Sequence, residues 1–106
     1  MMTMAEAEIR SNIIKAMAHP VRLMIVERLG ERPWSFSEVV SLFDLDKSTV
    51  SKHLLVLKSA GIVSSKKAGT DIIYTLEVPC VIDLFACVTA VIENNVQRQR
   101  ICLCKA

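Results

Sequence analysis

The chain has 106 residues, 52% of them hydrophobic but only 5% aromatic, which suits a single helical domain built on Leu, Ile, Val and Ala and leaves no room for a second core. Its opening, MMTMAEAEIR, has neither a basic n-region nor a continuous apolar stretch, so no secretory leader is expected and the chain is placed in the cytoplasm with reduced thiols. The net charge of +2 says little, but residues 47–70 hold Lys47, Lys52, Lys58, Lys66 and Lys67 and no Asp or Glu, a basic segment suited to a phosphate-binding face.

Ile9, Ile13 and Met17 recur four apart and predict a helix over 5–18. Pro20, after His19, opens a second helix with Val21, Met24, Ile25 and Leu29, and Gly30 is expected to cap its end. A loop holding Pro33 and Trp34 leads to a short helix that begins at Ser37 and Glu38 and carries Val39, Val40, Leu42 and Phe43. Asp46 is placed to cap the helix that follows. In that helix Val50, Leu54 and Leu57 should face inward, leaving Ser48, Thr49, Ser51, Lys52 and His53 on or near the outer side; Gly61 ends it.

Strand-like runs at 62–65 and 72–76, joined by KKAGTD with Gly69 in the turn, predict a β-hairpin. Pro79 then opens a last helix over 80–98. Its run 81–92 is too short to span a bilayer and contains Asp83, so no membrane partner is expected. Val81, Ile82, Leu84, Phe85, Cys87, Val88, Val91 and Ile92 cover more than one stripe of it. A helix of that kind is buried on more than one side, here on the core and on a second copy of the chain. The expectation is a homodimer through residues 5–18 and 80–98.

The elements add up to one domain, 1–106, mainly α with a small β-hairpin, in the order α-α-α-α-β-β-α. This is the outline of a winged helix-turn-helix, with the helix-turn-helix at 37–60, the wing at 62–77 and a cysteine-containing tail at 99–106. Small hydroxyl side chains at the front of the second helix fit the major groove of double-stranded DNA. Lys52, Lys66 and Lys67 would grip phosphates, which positions the protein without specifying sequence.

The stretches AMAHPVRLMIVERL, DLDKSTVSKHLLVLKSAGIV and KKAGTDIIYTL closely resemble the arsenical-resistance repressor (ArsR/SmtB) family, over residues 9–96. The resemblance implies a dimeric repressor that holds operator DNA until an inducer binds. It places Ser48, Thr49, Ser51, Lys52 and His53 on the recognition helix, with Lys47 at its start, and Lys66, Lys67 and Thr70 on the wing. Many members carry an arginine after the wing glycine, where this chain has Thr70, so wing anchoring is expected to rest on the lysines.

Inducer sites vary within the family. At the positions of its C-x-C arsenic box this chain reads Ser35-Phe36-Ser37, and where a last-helix zinc site needs a histidine beside Asp83 it has Phe85. Neither site is expected. His19 is read as a helix-start residue, and neither it nor His53 as a metal ligand.

The four cysteines, Cys80, Cys87, Cys102 and Cys104, remain. An all-sulfur set selects soft ions: trivalent arsenic or antimony first, or cadmium, lead or zinc. Arg98, Arg100 and Lys105 beside the tail pair favour its thiolate form. Cys80 and Cys87 stand about 10 Å apart along a helix, too far to share an ion directly, so the tail must reach one of them. An antiparallel crossing near Val91 would bring Cys80 of one copy to Cys102 and Cys104 of the other; alternatively the tail folds back to Cys87.

Two other readings compete. One is a repressor of the same fold that senses oxidants or reactive sulfur through Cys102 or Cys104. The other is a winged-helix interaction module that binds no DNA. With no nucleophile and general-base pair, phosphate loop or open catalytic metal set in view, an enzyme is not expected.

Overall fold

The structure is a computed structural model that describes residues 1–105, with side chains through Asn95. In chain order it contains α1 (Met4–Met17), α2 (Pro20–Glu31), β1 (Trp34–Ser35), α3 (Phe36–Val40), α4 (Lys47–Ser59), β2 (Val63–Ala68), β3 (Asp71–Leu76) and α5 (Val81–Lys105). The expected order holds, with one strand added.

That strand, β1, pairs antiparallel with β3, Trp34 opposite Tyr74 and Ser35 opposite Ile73, and gives a sheet ordered β1-β3-β2. Its two residues are too few to show a period of two, and they are extended because β3 offers an edge. The Arg32 guanidinium lies 4.2 Å from the centre of the Trp34 ring and reaches a Glu38 carboxylate oxygen at 2.9 Å, tying the strand to the helix that follows.

Several helix boundaries differ from expectation. Gly30 does not cap α2, which runs on to Glu31; a Cβ at Gly30 would sit 2.6 Å from Ile82 Cδ1. The glycine therefore serves close packing of α5 on α2. Helix α3 starts earlier, with Ser35 as its cap: the Ser35 hydroxyl accepts from the Glu38 N–H at 3.1 Å, and Glu38 Oε1 accepts from the Ser35 N–H at 3.0 Å. This reciprocal pair is a capping box. Helix α5 begins at Val81, with Cys80 in the turn before it, and runs on to Lys105 instead of ending at 98; the stretch expected as a tail continues the helix, so it does not fold back to Cys87 of its own chain.

Gly61 does end α4. It adopts a φ of +81°, its N–H bonds the Lys58 carbonyl at 3.0 Å, and the Ile62 N–H bonds the Leu57 carbonyl at 3.0 Å. These are the two bonds of a Schellman motif, and both Ile62 and Leu57 are buried in the core. The wing strands are longer than 62–65 and 72–76, so Lys66 and Lys67 lie on β2 opposite Ile73 and Ile72. Only Gly69 and Thr70 turn the chain. Gly69 has a positive φ and Thr70 does not, the pattern of a type II′ hairpin turn.

The core gathers Ile25, Val26 and Leu29 of α2, Val39 of α3, Val50, Leu54 and Leu57 of α4, and Ile62, Val63, Tyr74 and Leu76 from the wing, closed by Val81. The two terminal helices contribute little to it. Helix α1 buries Ala16 and Met17 but leaves Ile9, Ile13 and Ile14 exposed; α5 sets Val81, Ile82 and Phe85 against the core but leaves Leu84, Val88, Val91 and Ile92 about half exposed, at 48–57%.

Candidate nucleic-acid interface

Helix α4 is held at its start by Asp46, whose Oδ1 accepts from the Thr49 N–H at 2.7 Å and from the Ser48 hydroxyl at 3.2 Å. Hydrogen bonds from the Thr49 side chain and backbone, and then from Ser48, hold the Asp46 carboxyl below its ordinary range. The three inward residues, Val50, Leu54 and Leu57, are all but fully buried, which fixes how the helix is rolled. Lys47, Ser48, Ser51 and Lys52 are then exposed on the outside and Thr49 is half-buried.

One exposed side chain escaped the sequence reading. Leu55 is 62% exposed, four residues beyond Ser51 and so on the same helical face. The signal was the helical period itself: one residue past Leu54, it falls about 100° off the buried stripe.

His53 is placed differently from the other candidates. It is half-buried, with Nδ1 accepting from Arg22 Nε of α2 at 3.0 Å and its ring 4.5 Å from that of His19, tilted by 41°. It ties α4 to α2, whereas Lys47, Ser48, Ser51 and Lys52 point to solvent. His19 does stand at a helix start, as expected, its Nδ1 accepting from the Val21 N–H at 3.1 Å.

On the wing, Lys66, Lys67 and Thr70 are all exposed. The Ser37 hydroxyl donates to Asp71 Oδ2 at 2.7 Å, so α3 is tied to the first residue of β3, beside the wing turn; this bond, with that from the Ile72 N–H, lowers the Asp71 carboxyl. Ser35 and Ser37, at the positions of the arsenic box, are thus committed to a helix cap and a wing tie.

Among the cysteines, Cys80 and Cys87 are free thiols and both exposed, so Cys87 does not fill the core of the single chain. Asp83, also exposed, lies between them. No group of three or more His, Cys, Asp or Glu side chains close enough to share a metal ion occurs among the described residues. Cys102 and Cys104 lie outside the residues whose side chains are described. No described helix is long and apolar enough to cross a membrane.

A short helix leading to an exposed polar helix, followed by a lysine-bearing hairpin, defines the winged helix-turn-helix class. A family profile described as a helix-turn-helix domain matches residues 17–65. The uncharacterized HTH-type transcriptional regulator Rv0081 of Mycobacterium tuberculosis is 35% identical over 80 residues, 74% of this chain and 70% of that one. Its crystal structure superposes with a TM-score of 0.76 at 31% identity, covering 88% of this chain and 94% of the other. The HTH-type transcriptional repressor SmtB of the same species is 36% identical over 64 residues, 60% of this chain and 47% of that one. The solution structure of the homodimeric winged helix-turn-helix domain of Mb0332 from Mycobacterium bovis, described as a possible ArsR-family regulator, has a TM-score of 0.72 at 26% identity, covering 89% and 87%. The chain belongs to the ArsR/SmtB family of winged helix-turn-helix transcriptional regulators.

Proposed function

We propose that the chain is a homodimeric transcriptional repressor that binds double-stranded operator DNA and lets go when a thiophilic ion, arsenite or antimonite first, binds its C-terminal cysteines. The DNA half rests on one observation above the rest: the acid-free segment 47–70 presents its lysines on two neighbouring exposed elements, α4 and the wing. In this reading Ser48, Thr49 and Ser51 meet base edges, Leu55 offers an apolar contact of the kind thymine methyls accept, and Lys47, Lys52, Lys66 and Lys67 hold phosphates, with Thr70 at the wing tip. His53 acts from behind the helix.

The dimer rests on the apolar surface of α1 and α5. A groove of about 390 Å3 opens between α1, α2 and α5, lined mostly by apolar side chains such as Ile14, Met17, Met24, Leu84 and Val88, with Glu27 of α2 at its wall, and α5 continues its apolar face beyond the core through Val91 and Ile92. The chain's radius of gyration is 17.2 Å, against about 13 Å for a compact domain of ~100 residues. A second copy packed along α5 supplies the missing cover; the similar Mb0332 domain is homodimeric.

The inducer reading rests on chemistry. Thiols are the only soft ligands in the sequence apart from methionine, and Cys80 and Cys87 stand exposed at and near the start of α5. Carried on the same helix, Cys102 and Cys104 complete a three-sulfur site with Cys80 or Cys87 of the second copy. The same exposure suits oxidants or reactive sulfur, which keeps that second reading alive. Both are tested by titrating the purified protein on labelled operator with arsenite, antimonite, cadmium, lead and zinc while following sulfur-to-ion ultraviolet absorption. Release by arsenite or antimonite, lost in the Cys102→Ser and Cys104→Ser variants, is expected. Release only by peroxide or polysulfide selects the second reading, and unchanged responses in all four cysteine variants remove both.

A further inference from the structure

The structure joins the recognition helix to α1 and α2 through a small polar cluster that the DNA reading does not use. Arg22 is its centre. Its Nε–H donates to His53 Nδ1 at 3.0 Å, and one terminal nitrogen donates to the Ala16 carbonyl at 3.3 Å. One side chain of α2 thus grips both α4 and the last turn of α1. The His19 ring, 4.5 Å from that of His53, closes the cluster at the α1–α2 junction.

The hydrogen bonds fix the protonation state. An Arg Nε–H only donates, so His53 Nδ1 must present a lone pair and its proton sits on Nε2. His19 Nδ1 accepts from the Val21 N–H at 3.1 Å. The groups whose charges act on His53 are His19 and Arg22; from α1 comes a carbonyl, and neither α3 nor the wing, which also pack on α4, adds a charged partner.

We infer that His53 is a positioning residue for the reading helix, and that its protonation at Nδ1 cuts the tie to Arg22 and weakens specific DNA binding in mild acid. The proton comes from solvent and no other bond changes. The acceptor lone pair is consumed, and a new cation is left facing the Arg22 guanidinium. Burial first, then the charges of His19 and Arg22, push the His53 imidazole below its ordinary value, so the tie holds at neutral pH. Because Arg22 also holds Ala16, the cut loosens α4 from the end of the helix proposed to meet the second copy. The effect on DNA rests on the repressor reading; the tie does not.

Two measurements on the full chain decide it. Long-range 1H–15N spectra should show His53 as the neutral Nε2–H tautomer, titrating below its ordinary value of 6.5. An Nδ1–H tautomer, or a midpoint at or above that value, overturns the tie. Second, operator affinity of the parent and of His53→Gln is followed from about pH 7.5 to about pH 5.5, the range in which an imidazole changes charge. Glutamine can accept from Arg22 but does not titrate. The parent should lose several-fold more affinity than the variant on acidification; parallel profiles overturn the proposal. If no duplex binds at any pH, the repressor reading falls and the effect on DNA with it, while the nitrogen spectra still uphold or refute the tie.

Discussion

Two glycines that a sequence scan treats alike have different work, and substitution separates them. At Gly61 the constraint is backbone: φ is +81° with open space where a Cβ would go, so Gly61→Ala should cost about 1–2 kcal/mol through left-handed strain alone. At Gly30 the constraint is a neighbour, Ile82, and Gly30→Ala should cost about 1–3 kcal/mol by overpacking. Urea unfolding measures both. Shortening the neighbour in the double variant Gly30→Ala with Ile82→Val should recover part of the second loss and none of the first. Gly61 is legible in sequence because a glycine after the last inward leucine is a helix stop; the packing role of Gly30 is not, because its partner Ile82 lies 52 positions further on, beyond any local pattern.

The titratable residues divide acid sensitivity into two windows. His53 is lowered from 6.5 in the fold, so the unfolded chain takes up its proton first as pH falls. Stability is therefore complete above about pH 6.5 and declines below it, down to the folded value. Asp46, Asp71, Glu6 and Glu38 are lowered from 3.8 or 4.5, and what they contribute is present above those values and lost further into acid. Thermal melts across pH should show a first decline that His53→Gln removes and a second that it leaves.

At the scale of elements, helix α3 explains why two serines stand where thiolates would build an arsenic box. Ser35 caps the helix and Ser37 bonds Asp71. Ser35→Ala should cost about 1 kcal/mol, as for other N-caps, visible as a lowered urea midpoint. Ser37→Ala should leave the urea midpoint closer to the parent's and act on wing position, measured as weaker duplex binding.

Much of the reading element could be seen in the sequence. Asp46, the inward trio Val50, Leu54 and Leu57, and Gly61 are local signals, and all take the places expected of them. What could not be seen were features made by distant partners: β1, which exists only against β3, and the inward turn of His53, which depends on Arg22, 31 positions earlier. In the helical pattern alone, His53 is simply a polar residue beside Lys52.

At the scale of the molecule, α1 and α5 carry more apolar surface than one chain can cover. Placing a charge on it, Val91→Asp or Ile92→Asp, should shift the chain from dimer to monomer in sedimentation and weaken operator binding, because two half-sites are then no longer bound together. The apolar redundancy of α5 was plain in the sequence, and the exposure of Leu84, Val88, Val91 and Ile92 in the single chain agrees with it. The sulfur site stood on four cysteines, of which the structure describes the side chains of Cys80 and Cys87.

Operator binding of this kind requires the lysines of α4 and the wing to face phosphates. Duplex affinity measured against salt concentration for the parent and for the triple variant Lys52→Ala, Lys66→Ala, Lys67→Ala decides this most directly. Each lost phosphate contact should lower the slope of log affinity against log salt by about 0.9, so the triple variant should show a slope shallower by roughly two to three, as well as weaker binding. Identical slopes, or a parent chain with no salt-sensitive affinity for double-stranded DNA, would contradict the account.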